Sequence, residues 1–173
     1  MEQAAFKDAN HFTTSGGEEF ALNLSGAAIA GADFTGNVLS LANFSGATLT
    51  DCDFSNADLG GANFSESSIK NTTFFNANLK NASFKKTKFE GVIFSESNLV
   101  QSNFSYATYL LVNFKDADLR EVLGLSASSF YGMGGYHLNV EFNDATLISD
   151  DFSKKCEEQI QLIEDVQKKF SES

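Results

Sequence analysis

From Leu24 to Leu119 a large apolar residue recurs at every fifth position through twenty consecutive pentads, and a small residue almost always stands two places before it. An α-helix turns about 100° per residue, so steps of five would scatter these side chains around the cylinder instead of gathering them on one stripe. A flat strand would send successive members of the set to opposite faces of a sheet. The pattern is satisfied by a chain that turns a corner every five residues. Each pentad is then one side of a polygonal coil, and every centre points at a common axis.

Reading every twentieth residue sorts the centres into four columns: Leu24/Phe44/Phe64/Phe84/Phe104, Ile29/Leu49/Ile69/Phe89/Tyr109, Phe34/Phe54/Phe74/Phe94/Phe114 and Leu39/Leu59/Leu79/Leu99/Leu119. The third holds only Phe and the fourth only Leu. A ten-residue period would merge the second and fourth, whose contents differ, so the columns favour four sides per coil. The small residues, among them Ala32, Ala42, Ala47, Cys52, Ala57 and Ala62, suit inward corners too tight for a large side chain; Leu22 and Asn37 are the main misfits. Gly26, Gly31, Gly36, Gly46, Gly61 and Gly91 stand two after the centre, where a tight corner calls for positive φ. Asn56, Asn71, Asn76 and Asn81 take the same slot as the next most tolerant residue.

Pentads such as Ala32-Asp33-Phe34-Thr35-Gly36, Ala42-Asn43-Phe44-Ser45-Gly46, Ala57-Asp58-Leu59-Gly60-Gly61 and Ala62-Asn63-Phe64-Ser65-Glu66 make this stretch resemble the pentapeptide-repeat family. The resemblance implies an all-β solenoid, a right-handed quadrilateral β-helix, and agrees with the four columns. At the ~4.8 Å spacing of neighbouring strands, five coils would make a rod roughly 25 Å long. The fold carries no function with it.

Three segments are expected: an N-terminal cap or arm over 1–21, the β-helix over 22–152 with an inserted loop at 121–139, and an amphipathic helix over 153–173. In the first, Phe6 and Phe20 are candidates to cover the opening coil. The pentad frame stops after Leu119, and the loop brings Phe130, Tyr131, Met133 and Tyr136 together with Gly132, Gly134 and Gly135. Pentads resume in a shifted frame at Phe142, Leu147 and Phe152. From Ser153 the period becomes 3.6, with Cys156, Ile160, Ile163, Val166 and Phe170 on one stripe, Ser153 as N-cap, and Lys168 and Lys169 at the C-terminal end. This predicts a C-terminal capping α-helix. Its stripe serves equally to cover the last coil or to pair with a second copy, which leaves a monomer and a homodimer through the C-terminal end both open.

The net charge is −11, divided as −3 over 1–21, −3 over 22–121 and −5 over 122–173. A negative field disfavours direct nucleic-acid binding. No apolar run approaches the ~20 residues of a membrane span, and no leader pattern opens the chain, so from Met1 it reads as cytoplasmic; a chain trimmed of a targeting peptide would look the same. Cys52 and Cys156 make no disulfide framework, and both read as inert thiols.

An interior of Phe, Leu and Ala leaves no concavity for convergent polar groups, so neither an enzyme nor a cofactor is expected. His11 and His137 read as surface or packing residues, and Glu141, Asp144, Asp150 and Asp151 as a solvated edge without metal-ligand spacing. The outer surface stands out in two ways: a basic cluster of Lys70, Lys80, Lys85, Lys86 and Lys88, and the outward apolar residues Phe75, Ile93, Val100, Tyr106, Leu110 and Leu111. Either the 121–139 loop folds over that apolar group or a protein partner does. The reading is a non-enzymatic scaffold or protein-protein binding module. The resemblance implies an alternative, a DNA-mimicking rod of the type that protects DNA gyrase from quinolones, and a purely structural repeat is a third possibility. DNA mimicry would need rows of carboxylates, but the best row begins Asp33, Asp53 and continues Thr73, Ile93, Asn113, with Glu96 and Asp116 only partly extending it.

Overall fold

A computed structural model describes residues 12–13, 19–20 and 21–125. Strands β1 (Phe12–Thr13) and β2 (Glu19–Phe20) pair antiparallel, Phe12 opposite Phe20. Then come β3 (Ala28–Ala30), β4 (Thr48–Thr50), β5 (Ser68–Lys70), β6 (Lys88–Glu90) and β7 (Thr108–Leu110) in one parallel sheet, order β3-β4-β5-β6-β7. Every pairing joins residues twenty apart, from Ile29↔Leu49 to Phe89↔Tyr109. Single bridges with the same offset line the other three sides, such as Asn43↔Asn63, Asp33↔Asp53 and Asp58↔Asn78. The architecture is the right-handed quadrilateral β-helix. Its four faces are called A (centres Leu24 to Phe104), B (Ile29 to Tyr109), C (Phe34 to Phe114) and D (Leu39 to Leu119).

The corners explain the pentad. All twenty residues two after a centre, from Gly26 to Glu121, have φ between 48° and 69°. On faces A, C and D the N–H one further on donates back to the centre's carbonyl, as Asn37 does to Phe34 at 3.1 Å. A positive φ at the third residue of a turn closed this way is a type II turn. Face B instead forms regular strand. Six corners are Gly, but fourteen are not, and each of those holds an L-residue in the left-handed region. That conformation costs about 1–2 kcal/mol per residue.

The interior is filled. Nine Phe side chains, from Phe34 to Phe114 on faces A and C, have no exposure. Within a column the rings stack, Phe44 on Phe64 at 4.8 Å and Phe64 on Phe84 at 5.1 Å. Between the facing columns they meet edge to face, Phe64 with Phe74 at 5.6 Å. Both geometries are preferred for aromatic quadrupoles. The corner slots bury Ala, Cys52, Val92, Val112 and several hydroxyls. Those hydroxyls bond the backbone: Ser67 and Thr87 both donate to the Phe64 carbonyl, at 2.6 and 2.7 Å. Asn37 is buried in its corner, and Leu22 is half-buried against the core.

The coil runs past the point where the pentad frame stops. Leu123 bridges Asn103 and its carbonyl accepts from Phe104 at 2.7 Å, so the twenty-residue register persists beyond Glu121. Gly124 occupies the next centre slot with φ 78° and lies so close to Ser105 that an added Cβ would overlap that residue's backbone. Of the loop at 121–139, residues 126 onward, with Phe130, Tyr131, Met133 and Tyr136, lie outside the described residues. So do the resumed pentads and the 153–173 helix with Ile160, Ile163, Val166 and Phe170.

Candidate interaction surface

On faces A, C and D the residue before the centre points outward, and at most positions it has a local task. The turn leaves the N–H one after the centre without a ladder partner, and an Asn, Asp or Thr oxygen accepts it. Asn43 Oδ1 takes the Ser45 N–H at 3.0 Å, Asp53 Oδ1 the Ser55 N–H at 2.8 Å, and Asn113 Oδ1 the Lys115 N–H at 2.9 Å. This Asx turn is the physical reason for Asn or Asp in the motif. The same side chains also link coils, as Asn78 Nδ2 does to Asp58 Oδ1 at 2.8 Å. Ile93 stands in this slot, bridged to Thr73 and Asn113, and brings no acceptor. An exposed β-branched apolar side chain has replaced a structural hydrogen bond there.

The six outward apolar residues do not form one patch. Phe75 and Ile93 lie on face C of adjacent coils, 38% and 42% exposed. Because Ile93 pairs with Thr73, Phe75 is its diagonal neighbour, a relation that spans roughly 7–8 Å. Leu110 and Leu111 flank the B–C corner one coil further on, over Glu90 and Gly91. Tyr106 stands at the A–B corner, 80% exposed. Val100 is half-buried on face D, away from the rest. Val38, Leu41 and Leu123 are further exposed apolar residues that the pattern reading did not single out. The four-column register carries the signal for them, since each falls in an outward slot.

The basic cluster is partly neutralised by register. Lys70 pairs with Glu90 at 2.6 Å and Lys86 with Glu66 at 3.0 Å, each twenty residues away. Lys85 and Lys88 flank Lys86, whereas Lys80 stands on face D. On the same face, Arg120 binds Asp118 at 2.6 Å and its hydrogen bond holds that carboxyl below the usual carboxylate range. The row Asp33, Asp53, Thr73, Ile93, Asn113 is continuous through its bridges on face C, and its acidity stops after two coils.

Among the described residues no group of three or more His, Cys, Asp or Glu could hold a metal. The Cys52 thiol is buried, 3.4 Å from the Thr50 carbonyl, and burial raises its pKa. Burial likewise pushes the Tyr109 hydroxyl far above its ordinary value. Neither group is available as a nucleophile at neutral pH. No helix among the described residues is long and apolar enough to cross a membrane.

The repeat register agrees with a known family pattern. The pattern of pentapeptide repeats matches residues 22–56 and 57–95, in eight copies. No curated protein matches the sequence. Among solved structures, a pentapeptide repeat protein of the Arabidopsis thaliana thylakoid lumen is 22% identical, over 66% of this chain and 86% of its own, with a TM-score of 0.46. QnrB1, a plasmid-mediated fluoroquinolone resistance protein, is 19% identical over 82% of each chain, with a TM-score of 0.31. HetL, a pentapeptide repeat protein involved in heterocyst differentiation regulation in the cyanobacterium Nostoc, is 22% identical over 58% of this chain and 57% of its own, with a TM-score of 0.27. With eight copies of the repeat matched in residues 22–95 and the same register carried on to Leu123, this chain carries the pentapeptide repeats of that family.

Proposed function

We propose that this protein is a non-enzymatic scaffold that binds a protein partner on face C, with Phe75 and Ile93 as the apolar anchors. The observation that carries the reading is Ile93. On face C its slot holds Asp33, Asp53, Thr73 and Asn113 in the other coils, residues able to cap a turn, and this coil gives that up to expose an aliphatic group beside Phe75; Val38 on face D and Leu123 on face A make the same exchange without such a neighbour. A filled interior leaves the outer faces as the part of the rod able to recognise anything.

The test uses substitutions that restore the repeat, Phe75→Ser to match Ser55 and Ser95, and Ile93→Asn to match Asn113. Both remove apolar surface without disturbing the core. The wild-type protein, used as bait in a lysate of its own source cells, is expected to retain a protein that the double variant loses. Retention of the same set by both, with an unchanged melting temperature, rejects the reading.

DNA mimicry finds less support in the charge. Five coils span ~24 Å, a length over which duplex DNA carries about 14 phosphates. Residues 22–121 carry ten acidic and seven basic residues, a net of −3. Purified protein is expected to leave gyrase supercoiling unchanged with or without a quinolone; inhibition of supercoiling or relief of the quinolone effect would favour mimicry.

A further inference from the structure

Face C is polarised along the rod. From the first coil to the fifth its two outward columns read Asp33, Asp53, Thr73, Ile93, Asn113 and Thr35, Ser55, Phe75, Ser95, Lys115. Acid stands at one end, the exposed Phe75 and Ile93 in the middle, and a lysine at the other end. The acidic end belongs to a wider asymmetry, since residues 22–61 carry four Asp and no Lys or Arg. A surface ordered acid, apolar, base is complementary to its own reverse, which is what an isologous contact about a two-fold axis requires.

The register fixes where that axis falls. A two-fold running across the face, perpendicular to the rod, keeps each column opposite itself and reverses the order of the coils. Placed between the third and fourth coils, it sets Thr73 opposite Ile93 of the second copy, and Phe75 opposite Ser95. The two Phe75 rings and the two Ile93 side chains then gather about the axis, each offset from its twin by one strand spacing, ~4.8 Å. Asp53 comes opposite Asn113 of the second copy and Ser55 opposite Lys115, so that a Lys115 lies diagonal to an Asp53 on both sides of the apolar centre. The bordering corners agree: Asn56 falls opposite Asp116, Asn76 opposite Glu96, and Asp51 opposite Leu111. Within coils two to five no like charges meet. An axis through the third coil would set Ile93 against Asp53, and one through the fourth would set Phe75 against Lys115. An axis along the rod would bring Asp53 beside Asp53 and Lys115 beside Lys115, a like-charge arrangement that suppresses pairing.

We infer that face C binds a second copy of this chain, antiparallel, about a two-fold axis between coils three and four. The inference rests on the reading of face C as the partner surface, and it names the partner. Four overlapping coils give a footprint ~19 Å long and at most ~16 Å wide, roughly 300 Å² per copy. A standard interface takes about 800 Å² from each partner, so this pairing is weak and reversible, with a dissociation constant on the order of tens to hundreds of micromolar.

Sedimentation equilibrium of the purified full chain, from about 5 to about 500 µM, tests it. The average mass is expected to rise with concentration from 18.8 kDa towards twice that value. Phe75→Ser and Ile93→Asn should each weaken the pairing at least about tenfold while the melting temperature holds. Lys115→Glu, which sets an acid against Asp53 of the second copy, should weaken it as much, and Lys80→Glu on face D should leave it unchanged. A monomer at every concentration overturns the inference. So does a dimer that Ile93→Asn and Lys115→Glu leave intact, because pairing then belongs to another surface. The partner reading of face C is judged separately: if the chain stays monomeric while the Phe75→Ser, Ile93→Asn double variant still loses a protein from the lysate, face C binds a different protein and only the self-pairing falls.

Discussion

Gly36→Ala isolates the backbone from everything else. A Cβ built on Gly36 meets no atom within 4 Å, and its N–H donates to the Ser55 carbonyl at 2.9 Å, a bond the substitution keeps. What changes is that an L-residue must hold φ 67°. The native-state cost is about 1–2 kcal/mol. Alanine also restricts the unfolded chain, which returns about 0.4–1 kcal/mol. The net loss is about 0.5–1.5 kcal/mol, or roughly 2–5 °C in melting temperature for a chain of this size. Glu96→Gly, in the same column with φ 61°, is the reverse experiment and should gain by a similar amount. Urea unfolding followed by circular dichroism, with unchanged m-values, measures both. If Gly36→Ala is neutral while Glu96→Gly destabilises, the corners relax freely out of the left-handed region, and the strain argument fails.

Phe64→Ala removes a ring stacked on two neighbours and edge-on to Phe54 and Phe74, and should cost about 3–5 kcal/mol by equilibrium unfolding; a loss below about 1 kcal/mol would mean the columns repack. Ser102 Oγ is buried without a hydrogen-bond partner in a column otherwise occupied by Leu22, Ala42, Ala62, Ala82 and Val122, so Ser102→Ala should raise stability by about 1 kcal/mol, and a lowered melting temperature would contradict this. Gly124→Ala should destabilise by more than Gly36→Ala, because backbone overlap with Ser105 adds to the same φ penalty. Asp118 has a depressed folded-state pKa, so its contribution is present above the unfolded value near 4 and is lost as pH falls through the folded one. The stability difference between wild type and Asp118→Asn should therefore be constant above about pH 5 and shrink in acid; a difference that grows on acidification would refute the assignment.

The fold was legible because the repeat is redundant: Phe54, Phe74 and Phe94 each state the same coil length, and an error at one pentad is corrected by its neighbours. The glycine slot was equally legible as a demand for positive φ. That the demand extends to Leu41, Lys86, Tyr106 and Leu111 was not, since nothing in those residue types signals it. The Asx cap explains why Asn and Asp precede the centres, and it turned Ile93 from one exposed apolar residue among six into a departure from a structural rule. Val100 belonged with that group only while its face was unassigned.

The sequence alone determined the coil: four sides, a sealed aromatic and aliphatic interior, and outer faces as the part left for recognition. A period of five admits one way of burying its centres, so local chemistry and global shape coincide. Tertiary structure decided which outer residues are neighbours. Contacts on the surface run between residues twenty apart and around corners, so Lys86 meets Glu66, Leu41 covers Gly61, and Phe75 lies diagonal to Ile93 while Val100, closer to Ile93 in sequence, sits on another face.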